Sequence, residues 1–130
     1  MQILQPPGWA RPKGYSNGIA ASGKLVFVAG QVGWLPDGSF ATSDFVGQAE
    51  QALKNIVAIL AEANAKPEHI VRMTWYVTDK HEYLNAGAAL GAVYRQIIGK
   101  HYPVMTAVQV AGLVEEGGKV EIEVTAVVPS

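Results

Sequence analysis

The chain has 130 residues, a formal net charge of −1 at pH 7 and no cysteine. A chain of this length forms one domain that buries roughly two-thirds of the surface its unfolded form exposes, so residues 1–130 are predicted to be a single domain. The near-neutral charge gives no field that would attract nucleic acid or an anionic membrane. The absence of cysteine excludes disulfides, Cys-zinc sites and thiol nucleophiles, and it fits a reducing compartment.

Residues 1–14 contain Pro6, Pro7 and Pro12 and predict an N-terminal arm, followed by a short strand near residues 19–21. The arm has neither the basic start nor the long apolar core of a signal peptide. No apolar run approaches the ~20 residues that a membrane span requires. We therefore expect a cytoplasmic protein with no membrane partner.

The next two elements are a strand and a helix. Residues 24–32 are apolar at both odd and even positions, which predicts a strand buried on both faces. A helical stripe of apolar residues begins at Phe45. Thr42 or Ser43 is the predicted cap of this helix, with Asp44 in its first turn.

A strand and a second helix follow. Residues 70–78 alternate between apolar and polar side chains, which predicts a strand. Asp79 is placed to cap a helix over about residues 81–98, and Gly99 is a natural stop after it. Leu84 is among the residues expected to face inward from this helix.

Two strand-like runs close the chain, residues 104–113 and 119–128. They meet at residues 115–118 (EEGG), and Gly-Gly between such runs predicts a hairpin turn. In the second run, Glu121 and Glu123 alternate with apolar residues. A carboxylate inside so apolar a strand is unfavourable unless it is solvated, paired or used. A solvated face is the simplest interpretation, because charged residues are mostly exposed.

The predicted element order is β-β-α-β-α-β-β, an α+β fold with a mixed sheet and both helices on one face. Most of the strands are apolar at both parities, so the face away from the helices needs a cover. Another copy of the chain is the simplest cover, and we expect an obligate homo-oligomer.

Several motifs for cofactors and metals are absent. Gly112 and Gly117 have the spacing of a phosphate loop, but Gly118 follows where lysine is required. Neither a glycine-rich dinucleotide fingerprint nor a Gly-x-Ser-x-Gly nucleophile motif occurs. The three histidines are scattered rather than spaced as metal ligands. We expect no cofactor, no metal and, without a basic and aromatic cluster, no nucleic-acid partner.

A series of short blocks gives a more specific indication: residues 14–18 (GYSNG), 28–32 (VAGQV), 51–56 (QALKNI), 77–79 (VTD), 93–94 (VY), 107–113 (AVQVAGL) and 120–123 (VEIE). In this order and spacing, the chain resembles the RidA (YjgF/YER/UK) proteins, also labelled endoribonuclease L-PSP or translation inhibitor. The resemblance implies a chorismate-mutase-like α+β fold and a homotrimer with ligand clefts between subunits. It also implies hydrolysis of reactive enamines and imines, such as 2-aminoacrylate, to 2-keto acids and ammonia.

The resemblance implies roles for individual residues. Tyr15 matches the pocket tyrosine of the family, and Gly30 matches the glycine whose backbone N–H meets the ligand carboxylate. Glu121 matches the glutamate that positions the hydrolytic water. Two positions depart from the pattern: Met105 stands where active deaminases have an arginine, and Gly91 stands where they have an asparagine.

Met105 changes the expected ligand. A thioether cannot form the forked hydrogen bonds that a guanidinium makes to a carboxylate. A charged hydrogen bond contributes roughly 1.5–3 kcal/mol, so its loss should weaken binding of a 2-imino acid on the order of 10- to 100-fold. We therefore expect a less anionic or more apolar ligand. The candidate ligand-binding residues are Gly30, Met105, Thr106, Ala107, Gly91 and Trp34, although for Trp34 packing is the simpler interpretation.

The nearby candidates for a relocated cation are Arg11, Lys13 and Arg95. A solvated surface charge is the simpler interpretation of each one, because charged residues are mostly exposed.

The predicted hairpin also separates two candidate residues. Glu121 would lie opposite Gly112, and Met105 would lie roughly 23 Å further along the strand. Met105 and Glu121 are therefore expected to meet only across a subunit boundary.

Three functions follow as hypotheses. In the first, an enzyme uses Glu121 to activate water for attack on a C=N bond while Tyr15 orients the ligand. In the second, a homotrimer without catalytic activity binds a small metabolite in its clefts, an alternative favoured by Met105 and Gly91. The third, a ribonuclease, rests on the family label, and the net charge weighs against it.

Overall fold

The computed structural model describes residues 1–130 and has a mixed α+β fold. A four-stranded mixed sheet packs against helices on one face, and a separate two-stranded ribbon forms near the N-terminus. The helices all fall short of the length and apolarity needed to cross a membrane. The strands are β1 (Gln2–Leu4), β2 (Gly18–Ala20), β3 (Lys24–Gln31), β4 (Ile70–Val77), β5 (Val104–Gln109) and β6 (Val120–Val128), and the helices are α1 (Phe45–Ala61), α2 (Lys80–Asn85) and α3 (Gly87–Ile97).

The predicted C-terminal hairpin is wrong. The strand order is β3-β6-β4-β5, so β4 lies between the two strands that were expected to pair. After β4 the chain crosses over through α2 and α3 and returns as β5, parallel to β4, as such a crossover allows. Strand β6 then pairs antiparallel with both β4 and β3. Residues 110–119 therefore carry the chain past β4 instead of forming a tight turn.

The predicted faces of β6 and α1 are confirmed. Val120, Ile122 and Ala126 are fully buried on the helix side of β6, and Glu121 and Glu123 lie on the opposite, open face. Helix α1 contributes its apolar stripe to the same core, because residues three and four apart share one helix face. The fully buried apolar residues of α1 are Ala49, Ala52, Leu53, Ile56 and Leu60.

The helix boundaries differ in detail from the prediction. Asp44 is itself the cap of α1, since its Oδ2 accepts a hydrogen bond from the Gly47 N–H at 2.8 Å. Asp79 caps α2 as predicted. The second helix is interrupted at Ala86, whose backbone leaves the helical region (φ −94°, ψ 11°). The break turns Leu84 away from the core, and the residue is 66% exposed to solvent.

Strand β3 is buried on one face only, whereas burial on both faces was predicted. Val28 packs in the core, but Leu25 and Phe27 are 58% and 72% exposed on the open face of the sheet. Val108 of β5 is another exposed apolar residue on this open face. Apolar side chains grouped in this way typically mark a surface that another protein covers.

One buried amide fixes the connection between β5 and β6. The side chain of Gln48 in α1 is fully buried. Its amide nitrogen donates to the carbonyls of Thr42 (3.1 Å) and Gly117 (2.9 Å), and its oxygen accepts from the N–H of Lys119 (2.8 Å). Each of these backbone groups would lose a partner without the amide. Gln48 therefore holds the end of the connection against the helix where β6 begins.

We predict that Gln48→Met lowers the free energy of unfolding by about 2–4 kcal/mol, because buried polar groups without partners are destabilising by roughly 1–3 kcal/mol each. Urea denaturation measures the change. Gln96→Met is the control, because Gln96 is exposed on α3, and it should stay within about 0.5 kcal/mol. Equal stability of the two variants would contradict this role.

Candidate functional site

A cavity of about 430 Å³ opens beside the first residues of β5. Residues from the arm, β4, α2, α3 and β5 line it, and we call it the aromatic cavity. Its volume falls in the range of small-molecule sites, roughly 300–1,000 Å³. The lining residues are Lys13, Gly14, Tyr15, Trp75, Tyr83, Gly87, Leu90, Gly91, Tyr94, Arg95, Tyr102 and Met105.

Hydrogen bonds at Ser16 place Tyr15 on this cavity. Ser16 is buried, its N–H donates to the carbonyl of Pro103 at 3.0 Å, and its Oγ donates to the carbonyl of Tyr102 at 2.6 Å. These bonds join the end of the arm to the segment that leads into β5. Tyr15 and Met105 consequently line one cavity although they are distant in sequence.

Stacked and edge-on aromatic rings form the walls of the aromatic cavity. Tyr94 and Tyr102 stack with ring centroids 5.8 Å apart and planes at 10°. Trp75 meets Tyr83 edge-on, with centroids 6.1 Å apart. Trp75 is 3% exposed, and its Nε1–H is buried without a hydrogen-bond partner. A buried donor without a partner is unusual in a folded protein and calls for an explanation.

Two cations belong to the same cavity. Lys13 and Arg95 line it, whereas Arg11 lies in a neighbouring hollow. Gly91 lies one helical turn before Arg95, and a Cβ at position 91 would lie 3.1 Å from the Arg95 Nη1. The guanidinium therefore passes over the glycine. Arg95 and Lys13 are both exposed, as expected for surface charges.

Glu121 lies elsewhere in the chain, next to Gly30. A Cβ at position 30 would overlap the Oε2 of Glu121, so only glycine lets the two strands carry this carboxylate so close to the backbone. The pairing of β3 with β6 shifts register at this point, between Val28 and Gln31. Glu121 lines an open hollow of about 260 Å³ whose other residues include Tyr76 and Glu123.

Two neighbours of Glu121, Tyr76 and Glu123, are joined by a hydrogen bond. The Tyr76 hydroxyl donates a hydrogen bond to the Glu123 Oε1 at 2.8 Å. This bond raises the pKa of Tyr76, and burial and the charges of Glu123 and Glu121 raise it further. Glu123 thus has a partner within the chain, whereas no side chain of the chain bonds to Glu121.

The sequence-predicted site residues therefore fall into separate groups. Tyr15, Gly91 and Met105 line the aromatic cavity, and Gly30 and Glu121 lie together elsewhere. Met105 pairs in register with the buried Met73, so it lies on the helix side of the sheet. Glu121 pairs with Tyr76 and lies on the open face.

The remaining candidates lie outside the aromatic cavity. Thr106 and Ala107 are exposed on β5, beside Thr74 and Trp75 of β4. Trp34 lines a different hollow, and its ring meets Phe40 edge-on at 6.3 Å.

The aromatic walls of the cavity were not predicted from the sequence. Trp75 and Tyr94 were recognisable as inward-facing residues, but the pattern did not indicate that they line a cavity. The four-residue spacing of Gly91 and Arg95 was an available signal, because residues four apart are neighbours on a helix. The structure contains no group of three or more His, Cys, Asp or Glu side chains that could hold a metal ion.

Comparison with known proteins identifies the family. A family model described as endoribonuclease L-PSP matches residues 9–128. A solved structure of a Rid-family protein, YyfB from Yersinia pestis, superimposes with a TM-score of 0.85 over 98% of both chains at 27% identity. The chain belongs to the Rid family.

Individual relatives agree with this membership. TdcF of Escherichia coli, named as a candidate reactive intermediate deaminase, is 36% identical over 98% of this chain and 95% of its own length. The 2-iminobutanoate/2-iminopropanoate deaminase of Capra hircus is 33% identical over 87% of this chain and 79% of its own. The structure of RidA from a Psychrobacter species has a TM-score of 0.70 at 32% identity, covering 98% of this Rid-family chain and all of its own.

We predict that Tyr94 makes the stability of the protein fall at alkaline pH. Burial, and secondarily the charge of Tyr102, raises the pKa of Tyr94 above its ordinary value, which is about 10 in an unfolded chain. The stabilising contribution is therefore complete below about pH 10 and is lost as the pH rises above it, by up to about 1.4 kcal/mol per pH unit.

Unfolding in urea between pH 8 and pH 11 measures this slope. Tyr94→Phe has no proton to lose and should reduce the slope above about pH 10, leaving the part contributed by Tyr76 and Tyr83, whose pKa values are also raised. It should also lower stability near pH 8 by about 1–3 kcal/mol, because the hydroxyl donates to the His101 carbonyl at 2.6 Å. An alkaline slope that Tyr94→Phe leaves unchanged would show that another group causes the loss.

Proposed function

We propose that the chain is a hydrolase of the deaminase type that acts on a small enamine, imine or related metabolite in clefts shared between the subunits of a homotrimer. One observation carries the proposal: the aromatic cavity and the Glu121 carboxylate lie apart in one chain. A second copy can bring them together. The names of relatives, including a 2-iminobutanoate/2-iminopropanoate deaminase, support the reaction class.

The open face of the sheet supports assembly. Leu25 and Phe27 are exposed there, on the same face of the sheet as Glu121 and Glu123. Apolar area of this kind favours association, and closed symmetric homo-oligomers are the commonest result. In a closed ring, each boundary would join the aromatic cavity of one subunit to the Gly30–Glu121 pair of the next. A trimer then has one complete cleft at each boundary.

The proposed chemistry uses Glu121 as a base. Its carboxylate takes a proton from a water molecule while the water oxygen attacks the carbon of the C=N bond. The nitrogen is then protonated, the C–N bond breaks, and ammonia leaves as the carbonyl forms. The balance is one imine and one water consumed, and one carbonyl compound and one ammonia produced. Gly30 would offer its N–H to the substrate, and Tyr15 would orient it.

Met105 is the reason to expect an altered substrate. It presents a thioether on the wall of the aromatic cavity, and a thioether gives no charged hydrogen bond. A 2-imino acid therefore has no charged anchor at this position. The same residue favours the alternative that the trimer binds a small metabolite without turnover. A ribonuclease is the weakest hypothesis, because a net charge of −1 attracts no phosphate backbone. The cytoplasmic location remains a prediction.

We predict that Glu121→Gln lowers turnover at least about 100-fold, because general-base catalysis contributes roughly 10²–10⁴-fold. Imines are generated from a panel of amino acids by an amino acid oxidase, and release of keto acid above the buffer rate is measured. Glu123→Gln is the matched control, two residues along the same face, and it should retain activity. Circular dichroism checks that both variants fold.

Two results would count against this reading. Unchanged turnover in Glu121→Gln would remove Glu121 from the mechanism. No acceleration of any imine by the unaltered protein would favour the metabolite-binding alternative.

A further inference from the structure

The charged residues that line the aromatic cavity are all positive. Lys13 and Arg95 line it, and none of its lining residues is acidic. The ion pairs of the molecule join Lys54 to Glu50 and Lys119 to Glu82, so neither cation has an acidic partner within the chain. Two positive charges beside a hollow with low-dielectric walls attract an anion more strongly than two charges on an open surface.

The backbone makes room for one of these cations. The Arg95 Nη1 would lie 3.1 Å from a Cβ at position 91, so a side chain there would push the guanidinium aside by a few tenths of an ångström. Gly91 lies inside α3, where glycine is less favourable than alanine by roughly 0.5–1 kcal/mol. The chain thus has a weak helix former at the place where the guanidinium crosses the helix surface.

The other residues that line the aromatic cavity indicate which apolar group a ligand would carry. Trp75, Tyr83, Tyr94 and Tyr102 form aromatic walls, and Met105 adds a neutral, polarisable contact. The Trp75 Nε1–H has no hydrogen-bond partner in the chain, and it is buried within the wall instead of facing the open cavity. The walls therefore indicate a ligand with apolar area, and the two cations indicate that it also carries an anionic group.

We propose that Arg95, assisted by Lys13, binds the anionic group of the ligand, and that the ligand is a small carboxylate with an aromatic or bulky apolar substituent. The guanidinium forks onto the carboxylate from α3, and Met105 and the aromatic walls contact the substituent. This inference rests on the proposed function in treating the aromatic cavity as half of a ligand cleft. The ligand is then an anion, instead of the less anionic ligand expected from Met105, and it is bound by a cation on α3 instead of one on β5.

Calorimetric titration with phenylpyruvate, its methyl ester and pyruvate tests the proposal. Phenylpyruvate should bind at least about tenfold more tightly than either of the others, since the ester lacks the charge and pyruvate lacks the ring. Arg95→Gln should weaken binding of phenylpyruvate about tenfold or more and leave binding of the ester within about twofold. Arg11→Gln is the matched control, because Arg11 lies in the neighbouring hollow, and it should change neither affinity.

Two further variants separate positioning from stability. Lys13→Gln should weaken phenylpyruvate binding less than Arg95→Gln does. Gly91→Ala requires the guanidinium to shift by a few tenths of an ångström, so it should weaken phenylpyruvate binding less than Arg95→Gln does, while the unfolding temperature stays the same or rises.

The results that overturn the proposal are equally specific. Binding of phenylpyruvate by Arg95→Gln as tightly as by the unaltered protein would overturn the proposal. Equal loss of phenylpyruvate and ester binding in Arg95→Gln would indicate a merely structural role and would overturn it too. Failure of the unaltered protein to bind phenylpyruvate, or equal binding of pyruvate, excludes this ligand class.

The proposed catalysis is judged separately, by turnover in Glu121→Gln. If that variant keeps its turnover while Arg95→Gln loses phenylpyruvate, the anion site stands and the catalytic proposal fails. If turnover depends on Glu121 and Arg95→Gln binds phenylpyruvate normally, the catalytic proposal stands and the anion site fails.

Discussion

Strand β4 pairs with both C-terminal strands, and the arrangement of the site depends on this double pairing. Strand β5 lies parallel along one edge of β4, and β6 lies antiparallel along the other. Met105 is consequently on the helix side of the sheet and Glu121 is on its open face. The two residues belong to different surfaces of one molecule, so in the proposed function each chain contributes two separate parts of a site. Assembly would then complete the proposed site and would also cover the exposed apolar face.

Each partial site has its own chemistry. The aromatic cavity offers rings, a thioether and two cations without acidic partners. The second site offers a carboxylate held against a glycine backbone, with Glu123 occupied by the Tyr76 hydroxyl. One part is suited to holding an anion with an apolar substituent, and the other is suited to moving a proton. In the proposed site Met105 does not abolish anion binding, since the positive charges lie on α3 and the N-terminal arm instead of on β5.

Much of the fold could be predicted from the sequence, because side-chain periodicity reports which face of an element is buried. The alternation of β6, the apolar stripe of α1 and the Asp79 cap are examples, and the resemblance to the Rid family was confirmed. Periodicity does not report which strand lies beside which, so the Gly117-Gly118 signal led to a hairpin where β4 intervenes. The break at Ala86 has no proline to indicate it. The cavity depends on contacts between distant segments, such as Ser16 with Tyr102, which no local pattern reveals.

Covalent linkage between subunits tests the shared cleft most directly, and it does not depend on turnover. The chain contains no cysteine, so a variant carrying both Met105→Cys and Glu121→Cys has thiols at those two positions alone. Treatment of the native protein with a short bismaleimide, followed by a denaturing gel, reports which thiols lie within reach. We expect linked dimers and trimers from the double variant and unlinked chains from each single variant. A double variant whose chains remain single, at protein concentrations of about 10 µM, would contradict the shared cleft.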